Sequence, residues 1–219
     1  MSDDSLVISY DAEVPEDFFK DFLRDAKRAN LPIETRTRTV GPIMAVEWLL
    51  PTTVIVLLAK PFLDAFLKRA AEDVADAVYP KIKNIITKLV IKVLVSTRGL
   101  WKLTAISGDV RREGRSPFFS IESETKEGTR IKFVFNEGTN EERYATCVDQ
   151  ALQMLQTHHM ESSTLDPFLN APVHEDWNTI YMLYNDDQRR WYAANIYEEI
   201  HRIAQEPREQ ASKRNKGKT

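Results

Sequence analysis

The sequence predicts an α+β fold, a mixed or antiparallel sheet of five to seven strands opened by a β-α-β unit and covered by helices. Three observations lead there. Residues 6–39 carry strand, helix and strand patterns in succession. Alternating, aromatic-rich segments recur between residues 100 and 136. Between the two lies a proline-broken hydrophobic and amphipathic stretch, about residues 44–95, whose composition suits helices.

The first strand is LVISY, Leu6–Tyr10, short and rich in strand formers. Pro15 opens a helix, because a first-turn proline sacrifices no intrahelical bond, and Glu16 and Asp17 suit the positive end of the helix dipole. Phe18, Phe19, Phe22, Leu23 and Ala26 mark its buried face, and Asn30 with Pro32 stops it. In IETRTRTV, Ile33, Thr35, Thr37 and Thr39 alternate with Glu34, Arg36 and Arg38, which predicts a half-buried strand at or near an edge.

Three further strands are predicted at LWKLTAI (100–106), PFFSIESE (117–124) and RIKFVFN (130–136). Glu127-Gly128 supplies the turn between the last two. Thr139 to Glu142 form a capping box for a helix with Tyr144, Val148, Ala151, Leu152 and Leu155 on one face. Residues 177–195 fit either one aromatic helical face or a hairpin about the polar turn Asn185–Gln188, and the hairpin is the reading adopted. YEEIHRIAQ predicts a short closing helix before Pro207.

At 219 residues, with 42% hydrophobic and 29% charged, the chain suits one globular domain with a core that needs no staples. Residues 1–206 are assigned to a single α+β domain, with the helical region 44–95 inserted between strands, and 207–219 to a basic disordered tail. That tail carries five bases against one acid, whereas residues 1–19 carry six acids and no base. The net charge of -3 argues against nucleic acid as a partner. The single cysteine, Cys147, suits a reducing compartment, and no basic leader precedes an apolar run, so a cytoplasmic protein, at most peripheral to a membrane, is expected.

The stretch VEWLLPTTVIVLLAKPF poses the main question. Thr39 to Ala59 spans 21 residues with one charge, Glu47, which approaches the length of a bilayer span. Glu47 within it is costly in lipid, and the longest charge-free run, Trp48–Ala59, is only 12 residues, the length of a core helix. An amphipathic piece follows, with Phe62, Leu63, Phe66 and Leu67 on one side. A basic amphipathic helix comes next, with Lys81, Lys88 and Lys92 opposite Ile82, Ile85, Ile86, Leu89 and Val93. Prolines 51, 61 and 80 are expected to divide the region into linked helical pieces. Three roles remain open for it: core, interface with a partner or second copy, and membrane element.

Catalytic signatures are sparse. Neither H-x-x-x-H nor C-x-x-C occurs among His158, His159, His174, His201 and Cys147, so no metal site is predicted. Cys147, beside the apolar face of its helix, suits a small buried thiol. Glycine-rich phosphate cradles and the G-x-S-x-G elbow are missing from the sequence, and no cofactor or small-molecule ligand is predicted. Asp109 followed by Glu124-Thr125-Lys126 resembles the D…(D/E)-x-K pattern of the restriction-endonuclease-like nucleases. That resemblance implies Mg²⁺ held by the two acids, with the lysine stabilising developing charge. Arg189-Arg190-Trp191-Tyr192 offers stacking and charge for a single strand, although hairpin alternation divides it between two faces.

The function expected from sequence is therefore non-enzymatic: a protein that binds a protein partner, or itself, through the apolar helical region. The residues chosen for that surface are Trp48, Leu49, Val54, Leu57, Phe62, Phe66, Lys81, Lys88, Leu89 and Lys92. The alternative is a peripheral protein that binds or disrupts anionic membranes with residues 43–94. The third reading is the Mg²⁺-dependent nuclease with Asp109, Glu124 and Lys126.

Overall fold

The computed structural model describes residues 6–12, 14, 16–29, 31–38, 54–59, 62–64, 75–96, 115–136, 141–159 and 166–199. Strand β1 (Leu6–Asp11) leads through a 3₁₀ turn (Glu16–Phe19) into helix α1 (Lys20–Arg28) and strand β2 (Ile33–Arg38). Strand β3 (Val54–Leu58) and helix α2 (Ala75–Ser96) follow, then strands β4 (Arg115–Glu124) and β5 (Arg130–Asn136). Helix α3 (Glu141–His159) and the hairpin β6 (Thr179–Asn185) and β7 (Arg190–Ala194) complete the described elements.

These strands form one mixed seven-stranded sheet in the order β2-β1-β3-β4-β5-β6-β7. β1 and β2 are parallel, so the opening β-α-β unit is present, and β2 is an edge strand, with Thr35 to Thr37 exposed. The pairs β3–β4 and β5–β6 are also parallel, while β1–β3, β4–β5 and β6–β7 are antiparallel. Residues 177–195 do contain the hairpin: Tyr184 lies opposite Trp191, and Asn185 Oδ1 accepts the Gln188 N–H at 2.8 Å to shape its turn.

The apolar run is where structure and expectation part. Residues 54–58, read as helix from the sequence, are a strand near the middle of the sheet, flanked by β1 and β4. Val54, Ile55 and Val56 are β-branched and stiff at χ1, which favours a strand. A strand buried on both faces has no polar alternation, so by pattern alone it resembles a buried helix. Pro80 also departs from expectation. α2 runs continuously through it, six residues from its start, at the expense of one backbone hydrogen bond. The segments 44–53 and 65–74, the predicted strand 100–106, the capping threonine and the basic tail lie outside the described residues.

Alternation divides the sheet into two faces. On one, Ile8, Val56, Ile121, Phe133 and Met182 join the buried stripes of α1, α2 and α3 in a single core. α2 contributes Ile82, Ile85, Ile86, Leu89, Val90 and Val93, and α3 contributes Tyr144, Val148, Ala151, Leu152 and Leu155. Each such aliphatic side chain stabilises the fold by about 1.5–3 kcal/mol on full burial. Polar contacts tie the helices at their margins. Asp149 of α3 receives Lys83 Nζ at 2.8 Å and the Tyr79 hydroxyl at 3.0 Å, both from α2. On the opposite face, Val134, Tyr181, Leu183, Ala194 and Ile196 form a second, smaller cluster against Trp177 and Tyr192.

Candidate functional site

The residues chosen from sequence for partner or membrane binding are scattered by the fold. Val54, Phe62 and Leu89 lie in the main core, and Leu57 is half-buried in β3. Lys81 is exposed on α2. Lys88 reaches Asp25 of α1 at 3.6 Å. Lys92 donates to the Phe18 carbonyl, with its Nζ 4.8 Å from the Phe18 ring centre. Trp48, Leu49 and Phe66 are outside the described residues. The apolar stripe of α2 is thus directed into the domain, and Lys81, Lys88 and Lys92 face α1 and solvent.

Of the nuclease-like set, Asp109 is outside the described residues. Glu124 is the last residue of β4 and Lys126 lies in the turn beyond it, both exposed. Among the described residues, no group of three or more His, Cys, Asp or Glu side chains is placed to hold a metal ion.

The turn bearing Lys126 does sit at a chemically rich corner. Thr125 organises that turn: its hydroxyl accepts the N–H groups of Glu127 at 3.2 Å and Thr129 at 3.1 Å. Gly128 takes φ +85°, a conformation glycine adopts without strain. The C-terminus of α3 docks here. The Lys126 backbone N–H donates to His158 Nε2 at 3.2 Å, so that nitrogen carries no proton. The other nitrogen, Nδ1, donates to Asp166 Oδ1 at 2.9 Å, and the same oxygen accepts the Phe168 N–H at 2.9 Å. His159 Nε2 donates to the Glu124 carbonyl at 3.1 Å. Burial, then the neighbouring His158, holds His159 below the ordinary histidine value. Both histidines are fastened to backbone and loop, as latches between α3 and the sheet.

The third described histidine stands apart. His174 is stacked on Trp177 (centroids 4.1 Å apart, 9° between planes) and on Tyr197 (4.7 Å, 28°). It is 5% exposed, and neither ring nitrogen has a hydrogen-bond partner among the described residues. A buried polar group left in this way costs about 1–3 kcal/mol. Its loop is rigidly held: Asn178 takes φ 45°, its side chain donates to the Gly128 carbonyl at 3.2 Å, and its carbonyl accepts the Arg130 N–H at 2.9 Å. Around this loop lie the three large apolar side chains that are exposed among the described residues: Leu169 (69%), Val173 (43%) and Tyr197 (48%).

Sequence reasoning also missed a charged pair on the sheet face opposite the helices. Glu122 of β4 and Lys132 of β5 lie directly across from each other, with Lys132 Nζ 3.3 Å from Glu122 Oε1. Cys147 is buried as expected, and burial pushes its thiol up to about 12. Comparison of the chain with family models, curated proteins and solved structures finds no match, so its chemistry carries the functional reading.

Proposed function

We propose that the protein is a non-enzymatic binding protein that docks a protein partner, or a second copy of itself, at the corner built by residues 166–179 and Tyr197. One observation carries this: Val173 and Tyr197 are exposed beside a buried His174 whose two ring nitrogens have no hydrogen-bond partner among the described residues, and Leu169 is exposed in the same loop. Exposed apolar side chains grouped about an unsatisfied polar group suit an interface, where a partner covers the former and pairs with the latter. The corner replaces the apolar helical region as the docking surface, because the α2 stripe is already spent in the core. The same burial favours a protein partner over an anionic membrane. No helix among the described residues is long and apolar enough to cross a bilayer.

The test is light scattering of the purified chain, together with site-specific photo-crosslinking from position 197 in cells that express it. The reading expects a mass above one chain, or one defined crosslinked species, and its loss on Val173→Glu. Crosslinking from position 88 should leave that species absent. A complex that survives Val173→Glu combined with Tyr197→Glu would remove the corner from consideration.

A further inference from the structure

We propose that the edge strand β2 pairs with β2 of a second copy of this chain, antiparallel about Thr35, so that two sheets join into one. This goes beyond the docking corner and does not depend on it. β2 ends the sheet, and among the described residues β1 is its one strand partner. The Pro32 and Arg38 carbonyls accept from the Leu6 and Ala12 N–H groups, which sets the phase of the strand. Even-numbered residues turn their backbone groups to β1, and Ile33, Thr35 and Thr37 turn theirs outward. Such an outward row is a template for another strand.

Charge selects the occupant and the register. Within the strand, Arg36 forks Glu34 at 2.9 and 3.1 Å. Pairing centred on Thr35 sets Glu34 opposite Arg36 of the second copy, and Arg36 opposite its Glu34. These are the non-hydrogen-bonded positions, where Cα atoms lie about 4.5 Å apart and side chains meet most closely. Ile33, Thr35 and Thr37 then exchange backbone hydrogen bonds with the second copy. Centring on Glu34 or on Arg36 instead sets that residue against its own copy, and like charges directly opposite destabilise a strand pair. The strand is therefore its own charge complement in one register. Its surroundings leave room for this. Thr35 is aligned with Ile8 of the helix-side core, whereas Glu34 and Arg36 are aligned with Val7 and Ser9. The charges thus lie on the face away from the helices, and the exposed side chains on the helix side of the edge are the small Thr35 and Thr37.

The experiment is sedimentation of the full chain over a concentration series, in the Val173→Glu background so that the docking corner does not contribute. The mass is expected to rise from one chain toward two at high micromolar concentration, because one strand edge is smaller than a standard interface. Thr35→Pro removes an outward N–H and no bond to β1, a change that an edge strand tolerates, and should weaken association at least tenfold. Arg36→Glu and Glu34→Arg should each abolish self-association. An equimolar mixture of the two should restore it, because the acids of one strand then face the bases of the other. If Thr35→Pro does not fold, the mixture decides. A chain that stays monomeric to millimolar concentration, a dimer that survives Thr35→Pro, or charge variants that associate no better mixed than alone would overturn the proposal. Crosslinking from position 197 reports the corner alone, so either reading can fail without the other.

Discussion

Replacement of Leu89 by alanine distinguishes a core stripe on α2 from an interface stripe. Leu89 is 1% exposed and belongs to the main core cluster. The substitution removes three carbons, worth roughly 0.8 kcal/mol each in transfer from water. The rigid surroundings of sheet and α3 add a cavity term, which brings the expected loss to about 2.5–5 kcal/mol. Urea unfolding followed by tryptophan fluorescence reads this, since Trp191 is buried in the same cluster. The midpoint should fall by on the order of 1 M. Lys88→Ala is the control. Its side chain is 60% exposed and its ammonium lies 3.6 Å from Asp25, so the change should stay within about 0.5 kcal/mol. A Leu89→Ala protein with unchanged unfolding but a smaller mass in solution would refute the core assignment and make the stripe an interface.

The His159 ring, whose folded-state affinity for protons is depressed by burial, makes stability depend on pH. The unfolded chain takes up its proton near the ordinary value of 6.5, before the folded protein does, so stability is complete above that value and is lost as pH falls below it. His159→Gln should flatten this slope in denaturant titrations, and an unchanged slope would count against the burial argument. Cys147, with its thiol pushed up to about 12, should react with iodoacetamide only as fast as the chain unfolds; rapid labelling of the native protein would contradict its placement. Gly128→Ala meets no atom within 4 Å, so its expected cost of about 1–2 kcal/mol arises from the positive φ alone. Gly128→Asn should cost less, and equal losses in thermal unfolding would point to another cause.

Local chemistry made much of the fold legible. The β1-α1-β2 unit follows from an amphipathic helical pattern between two short strand patterns, and the β4–β5 turn from Glu127-Gly128. The helical spacing read for α3 places its core residues correctly. The VIVLL strand was hidden because its polarity pattern is set by neighbours on both sides of the sheet, which periodicity does not report. The His174 stack depends on a loop conformation and on Tyr197 returning from beyond β7, and neither leaves a spacing signature. Glu122 and Lys132 were closer to view. A hairpin folded about Glu127 pairs residues equidistant from it, and alternation places both on the face that β4 and β5 turn away from the helices. The missing step was register: Glu124 and Lys126 attracted notice through a short motif, while the buried pair required counting outward from the turn.

Val54–Leu58, the described part of the most apolar stretch, is an interior strand of the sheet and not a helix. Residue-resolved hydrogen exchange of Ile55, Val56 and Leu57 tests this placement most directly. These residues pair with β1 on one side and β4 on the other. Their amides should exchange only with global unfolding, as slowly as those of Ile121 and Phe133. Exchange much faster than at Ile121, or protection that appears only when anionic vesicles are added, would contradict the account.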